Sequence, residues 1–407
     1  MNREKRRAVT VLLVVVAFGA GARQAAAQDP EPATRTEALE QAIAAKSADL
    51  KIYEPNRVED LIDRAEDLLV TGRLHLHPYF TSAYSGGGFT LGAGYMTHVS
   101  PYNLLDVRGS LTFTGYKRIE AQFLAPRLFN RRGSLSLLGG WREATQVGFY
   151  GFGTASTSSG DQVNYGFTQP YTEAMLEVRP TRGALMLRGG VELSQWKQQP
   201  GSGTFPSVEE VYTPETLPGL GASPTYVHSQ GTIALDSRTA PGYARRGGFL
   251  GVTVHDFADT DSRFGFSQVD YEGIQHIPLL RETWVISLHG RVQTAFTKSD
   301  QDIPFFMTPS VGGGSSLRGF SSWRFRDRNS MLLQAEWRVM VNRFFETAVF
   351  FDAGKVTART ADLDFNGLKD DYGLGIRFHG PLATPLRIDF AKGNEGLHIV
   401  FAASSVF

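Results

Sequence analysis

The chain has 407 residues, of which 42% are hydrophobic, and its 41 basic and 41 acidic side chains give a formal net charge of zero. The lack of cysteine excludes disulfides and thiolate metal sites. A basic surplus is also lacking, which argues against nucleic-acid binding.

Residues 1–27 have the pattern of a secretory signal peptide. A basic stretch at residues 3–7 precedes an apolar run at residues 8–21, and three alanines, residues 25–27, follow. The run is shorter than the ~20 apolar residues of a spanning helix, although an uncleaved anchor is the alternative. We predict export and cleavage, which removes five basic side chains and one acidic one and leaves 36 basic and 40 acidic side chains.

Residues 28–72 are rich in alanine, glutamate and leucine, and they predict a short periplasmic helical segment. Asn56 and Glu59 form a capping box. The apolar residues of the stretch Val58–Leu69 then fall on one helical face, and a weaker helix is predicted over residues 36–45. The segment is either a packed N-terminal cap or a docking site for a periplasmic partner through the Val58–Leu69 helix.

From Arg73 onward the apolar period changes to two, which is typical of β-strands. The clearest strand runs from Thr283 to Phe296, and its even-numbered positions from Trp284 onward are mainly apolar whereas most odd-numbered ones are polar. Trp284 and Phe296 lie twelve residues apart on the apolar side. At ~3.3 Å per residue and ~45° tilt, they are ~28 Å apart across a membrane. This length favours a lipid-facing strand with an aromatic residue at each edge.

The alternation recurs in about sixteen segments, and short connections alternate with long ones along the chain. Short turns on one side and longer loops on the other are typical of outer-membrane barrels. Lipid-facing strands also require closure, because an open sheet edge in hydrocarbon leaves peptide groups unpaired. We therefore predict that residues 73–407 form an all-β fold, a closed antiparallel transmembrane β-barrel of about 16 strands in the bacterial outer membrane.

Charged residues of both signs fall on the inward-facing positions of these strands. Asp352 and Glu336 point inward by alternation, and Arg318 lies in the glycine-rich stretch Gly312–Phe320 of a long loop. If this loop folds into the lumen, Arg318 reaches one or both carboxylates, since its planar guanidinium pairs two acceptors. We expect an ion pair of intermediate strength in a partly wet lumen; a solvated wall is the alternative.

The motifs resemble those of the BamA/TamA-type barrels, the bacterial surface antigen family. The resemblance rests on a loop tip, a strand motif, an intervening glutamate and a terminal aromatic: Leu317, Arg318, Gly319 and Phe320; Phe350, Asp352 and Gly354; Glu336; Phe407. It implies sixteen strands, a loop arginine that contacts the strand aspartate, and a weak seam between the first and last strands. It also implies that Phe407 is part of the C-terminal insertion signal. The POTRA modules of that family have no counterpart in residues 28–72.

The resemblance implies a role in inserting or translocating polypeptides at the outer membrane. A passive or gated pore for small solutes and a structural outer-membrane protein are the alternatives. We expect no enzyme, because no G-x-S-x-G or H-E-x-x-H motif occurs. We also expect no cofactor, no metal site and no nucleic acid as partner; His75 and His77 share a strand face but have no neighbouring ligand in sequence. Outer-membrane lipid is the predicted partner.

Overall fold

The computed structural model of the protein describes residues 34, 36, 39, 40, 75–155, 161–181, 183–380 and 383–407. The predicted signal peptide, residues 1–27, lies outside the described residues. The predicted Val58–Leu69 helix and most of the segment 28–72 lie outside them as well. All strands given below belong to the compact unit that spans residues 63–407.

The described chain is built mainly of antiparallel strands, as the period of two predicts. Their bounds follow in chain order: β1 Leu76–Pro78, β2 Thr90–His98, β3 Leu104–Thr112, β4 Lys117–Leu128, β5 Gly133–Phe149, β6 Val163–Val178, β7 Leu185–Gln195, β8 Lys197–Pro200, β9 Thr225–Asp236, β10 Gly247–Asp259, β11 Phe266–Leu279, β12 Trp284–Thr297, β13 Ser310–Val311, β14 Phe325–Arg326, β15 Asn329–Met340, β16 Phe345–Thr357, β17 Lys369–Phe378, β18 Leu386–Gly393 and β19 Gly396–Ala402. A one-turn helix, α1, spans Val208–Val211. None of the described helices is long and apolar enough to cross a membrane.

Paired registers connect the strands in chain order from β1 to β19. One sheet contains 17 strands, and β13 and β14 form a separate two-stranded sheet. Trp196 separates β7, which pairs with β6 and β9, from β8, which pairs with β6. The pairing is long and regular where the apolar alternation is clearest, as in β11–β12, where it extends from Phe266↔Thr297 to Leu279↔Trp284. Closure of this series into a barrel of about 16 strands remains a prediction.

The two faces of the sheet have opposite character. On β16, Val349 and Phe351 are exposed, whereas Phe350 and Asp352 between them are buried. On β12, Leu288 and Phe296 are exposed, and His289 is buried. Large apolar side chains therefore lie on the exposed face of the sheet and charged ones on the buried face. A continuous apolar exterior of this extent is unfavourable in water and suits hydrocarbon.

An aromatic cluster fills the interior at the end of the sheet that carries the long loops. It contains strand residues such as Phe149 and Tyr165, and also Phe305 and Phe306 from the β12–β15 loop, all of which are buried. The ring centroids of Tyr165 and Phe305 lie 4.9 Å apart. The loop is therefore packed against the strands rather than exposed to solvent.

Candidate functional site

The β12–β15 connection, residues 298–328, folds back as a hairpin whose tip carries Arg318. Strands β13 and β14 pair at its base, and Gly312 and Gly313 follow with φ of 123° and 97°. A Cβ at Gly312 would lie 2.5 Å from the carbonyl oxygen of Ser321. Glycine is required at that turn both for the backbone conformation and for the space.

Two apolar side chains anchor the tip on either side of Arg318. Leu317 and Phe320 are buried in a cluster with Val311 and Phe325 of the hairpin and with two strand residues, Leu332 and Val356. Because this cluster holds Leu317 and Phe320, it positions the backbone of Arg318 independently of the charge of that residue. In the tip motif, the apolar residues Leu317 and Phe320 thus flank and position the charged residue Arg318.

The guanidinium of Arg318 meets both predicted carboxylates. Its Nε and Nη2 donate to the two carboxylate oxygens of Asp352, each at 2.7 Å, and Nη1 donates to Glu336 at 2.6 Å. The Arg318 side chain is 0% exposed, as is that of Asp352. The expectation of a partly wet pair is wrong, because the loop excludes water from this contact. Burial alone lowers the pKa of Arg318, but the attraction of Glu336 and Asp352 outweighs it and raises that pKa above its ordinary value.

The strand motif around Asp352 has a physical role at each of its positions. The ring of Phe350 lies under the guanidinium, with its centroid 3.4 Å from the Arg318 Cζ, which adds a cation–π contact. Gly354 has the carbonyl oxygen of Met331 2.7 Å from where a Cβ would stand, and Leu317 lies 3.6 Å from the same point. A larger residue at 354 would collide with the neighbouring strand beside the loop.

Further charges surround this contact and balance it. Glu336 also accepts from Arg377 Nη2 at 2.6 Å. Asp389 lies 3.5 Å from Arg318 Nη1 and 3.2 Å from Arg387 Nε. Both signs are needed, because an unpaired charge would be strongly unfavourable in this buried position.

Two members of the site were not among the predicted site residues. Gln334 donates to Asp352 at 3.1 Å and to the loop carbonyl of Ser316 at 2.8 Å, so it connects strand and loop. Asp371 is paired in register with Asp352, and a Cβ at Gly319 would lie 2.5 Å from its Cβ. Gln334 was identifiable as an inward-facing position, whereas the contact of Asp371 depends on where the loop lies.

The same loop contacts segments near both ends of the strand series. Trp323 Nε1 donates to the carbonyl oxygen of Ser85, just before β2, at 2.9 Å. Arg324 pairs with Glu395, in the turn between β18 and β19, at 2.7 Å. A cavity of about 740 Å³ is lined by residues 80–82 and 84–90 from one end and by residues 398–406 from the other. The loop therefore bridges the region where the first and last strands approach each other.

Two other residues named in the sequence analysis contact strand residues rather than the loop tip. The ring of Phe407 stacks on the inward-facing ring of His289, with centroids 4.9 Å apart, and its role as an insertion signal stays a prediction. His77 Nε2 lies 2.9 Å from Asp106 Oδ1. That histidine therefore has a carboxylate neighbour from another strand, which its sequence surroundings do not indicate.

Comparison with known proteins agrees with this geometry. Residues 221–398 match the Omp85 superfamily domain. The matching region is an Omp85-like domain. The resemblance to BamA/TamA-type barrels is thereby confirmed, and the match contains the whole network from Arg318 to Asp389. No curated protein matches the chain.

Two solved structures have a fold similar to that of this chain. BamA from Haemophilus ducreyi lacking POTRA domains 1–3 is 14% identical, with a TM-score of 0.57 over 80% of this chain and 68% of that chain. CdiB from Escherichia coli is 12% identical, with a TM-score of 0.53 over 80% of this chain and 60% of that chain. At these identities the likeness concerns the fold alone. The chain spans less than two thirds of the length of CdiB.

Proposed function

We propose that this Omp85 barrel inserts polypeptides into the outer membrane or translocates them across it. Its domain supports the general role, since Omp85 membership suggests outer-membrane insertion or translocation. The apolar exterior supports a membrane location. The observation that carries the proposal is the buried loop that touches both ends of the strand series, because a polypeptide can enter between strands only where their pairing is weak.

The proposal predicts that the loop must move relative to the last strand. At present the loop lies against β19: the Cβ that Gly314 lacks would stand 3.7 Å from the Cβ of Val400. This separation matches the ~3.8 Å between the Cβ atoms of a disulfide. The chain has no cysteine of its own, so a Gly314→Cys/Val400→Cys variant forms a single defined cross-link.

The decisive experiment measures the folding rate of an unrelated outer-membrane barrel into liposomes that contain this protein. Liposomes with an equal amount of a closed barrel outside the Omp85 superfamily are the control. We expect faster folding with the Omp85 barrel, loss of that acceleration in the oxidised double-cysteine variant, and recovery with reductant. The two single-cysteine variants control for the substitutions themselves.

The outcomes separate the proposal from a solute pore. No acceleration by correctly folded protein would refute a role in insertion. Steady single-channel conductance without acceleration would instead assign the barrel as a pore. Acceleration that survives the cross-link would keep the activity and exclude loop movement against β19 as its basis.

A further inference from the structure

The two ends of the sheet differ strongly in charge. The connections at the short-turn end contain nine arginines, no lysine and one acidic residue, Glu282; they are residues 99–103, 129–132, 179–184, 237–246, 280–283, 341–344 and 379–385. The connections at the opposite end contain seven basic and eleven acidic residues; they are residues 113–116, 150–162, 201–224, 260–265, 298–328, 358–368 and 394–395. The protein is therefore electrically polarised along the axis that crosses the membrane.

Six exposed arginines at or next to the short turns form what we call the arginine rim: Arg127, Arg131, Arg132, Arg246, Arg281 and Arg343. They are interleaved with exposed apolar side chains. Phe129 is 61% exposed and Leu280 63%, each within two residues of a rim arginine. The Cζ of Arg127 lies 4.0 Å from the ring centroid of Tyr102, which is itself exposed. Apolar and cationic groups side by side are typical of the depth at which lipid headgroups begin.

Two of these turns hold their side chains in an unfavourable backbone conformation. Residues 129–131 and 280–282 each comprise three consecutive non-glycine residues with positive φ, between 44° and 68°. Left-handed geometry is costly for such residues. Both turns use it to direct a large apolar residue and an arginine outward together. If the turns faced water, the apolar side chain would be exposed to solvent. If they face a lipid leaflet, the apolar side chain contacts lipid and the arginine contacts the headgroups.

The acidic groups near the rim do not neutralise it. Glu177 and Asp236 pair with Arg179, Asp236 also with Arg238, and Glu282 lies 3.5 Å from Arg246. Among the described residues, no carboxylate pairs with Arg127, Arg131 or Arg281. Three rim guanidinium groups thus remain available to an anionic ligand.

We propose that the arginine rim binds the phosphodiester headgroups of anionic phospholipids in the leaflet at the short-turn end. A guanidinium presents two parallel donors that match phosphate oxygens, which accounts for arginine rather than lysine at every basic position of these turns. A zwitterionic headgroup carries its own cationic group, which competes with the arginines for the phosphate of that headgroup. The inference rests on the membrane-embedded barrel and not on the proposed insertion activity.

Native mass spectrometry of the purified protein in neutral detergent tests this directly. Dioleoylphosphatidylglycerol and dioleoylphosphatidylcholine are added at equal concentrations, and the bound lipids are counted. Each arginine near a headgroup contributes roughly a 5-fold preference for the anionic lipid, from ~1 kcal/mol per residue. We expect the Arg127→Gln/Arg131→Gln/Arg281→Gln variant to lose that preference. The control Lys298→Gln/Arg328→Gln/Arg359→Gln removes three charges from the opposite end and is expected to retain it.

Three results would overturn the inference. The first is equal retention of the two lipids by the unaltered protein, which needs no variant to fold. The second is equal loss in both triple variants, which would reduce the effect to net charge. The third is unchanged lipid retention in the rim variant with lost binding of poly-L-glutamate, which would assign the rim to an acidic polypeptide. Failure of the protein to enter lipid vesicles at all would instead refute the membrane barrel, whatever the rim binds.

Discussion

The Arg318→Ala substitution tests how firmly the loop is held inside the sheet. It removes two hydrogen bonds to Asp352 and one to Glu336, together with the contact over the Phe350 ring. The carboxylates that remain are buried but not isolated. Glu336 keeps Arg377 at 2.6 Å, and Asp352 keeps Gln334 at 3.1 Å.

The expected loss of stability follows from this burial. Removing one partner of a buried pair costs ~3–5 kcal/mol, whereas an exposed pair contributes at most ~1 kcal/mol. Because Arg318 and Asp352 are both fully buried, the larger range applies to the equilibrium between the docked and the released loop. At 1.36 kcal/mol per factor of ten, the released fraction rises by roughly 2 × 10²- to 5 × 10³-fold.

Limited trypsin digestion of the folded protein measures this change. Cleavage after Arg324 or Arg326, which are both buried in the docked loop, reports the released state. We expect much faster cleavage at these positions in the variant and a higher barrel conductance. Arg359→Ala is the matched control, because Arg359 makes a bidentate contact with Asp362 at the exposed surface, like that of Arg318 with Asp352. Cleavage rates equal to those of the unaltered protein would refute the inference that Arg318 holds the loop.

Two further substitutions test the packing and the lipid-facing surface. Gly319→Ala places a methyl group 2.5 Å from the Cβ of Asp371 and 2.7 Å from the nitrogen of Gly393, so we expect denaturant titration to show a free energy of unfolding lower by ~1–3 kcal/mol. In the control Gly139→Ala the methyl group meets nothing within 4 Å. Equal losses of stability in both variants would contradict the close approach at Gly319. Leu288→Arg puts a charge on the exterior between the two aromatic edges, and we expect it to lower the free energy of unfolding in liposomes by ~2–4 kcal/mol. Leu280→Arg, in a turn at the sheet's end, is the control, and similar losses for both would argue against the predicted depth of Leu288.

Much of the fold was predictable because the pattern of a β-strand is local. Alternation alone placed Phe351 outside and Asp352 inside, and the structure agrees. The turn at residues 129–132 and the long connection 298–328 were likewise recognisable from where the alternation stops. Closure was inferred from the cost of unpaired peptide groups, and it is still an inference. The N-terminal helices were predicted from equally local signals but fall outside the described residues.

The site was only partly predictable, because its contacts join segments distant in sequence. The motifs and the alternation predicted that Arg318, Asp352 and Glu336 belong to the site. The degree of burial of these three side chains was not predictable, because it depends on how Leu317 and Phe320 fill the space around them. The bond from Trp323 to Ser85 joins residues 238 positions apart, and no pattern in either segment predicts it.

The order of residues by itself determined which side chains face lipid and which face inward, because each strand residue points opposite to its neighbours whatever the rest of the chain does. It also determined which loop could enter the interior, since glycines at 312 and 313 permit the reversal. Only the tertiary structure decided that the loop excludes water from Arg318 and touches both ends of the strand series. Those properties depend on how long-range packing distributes volume and charge, and that distribution exists only once all the strands are in place.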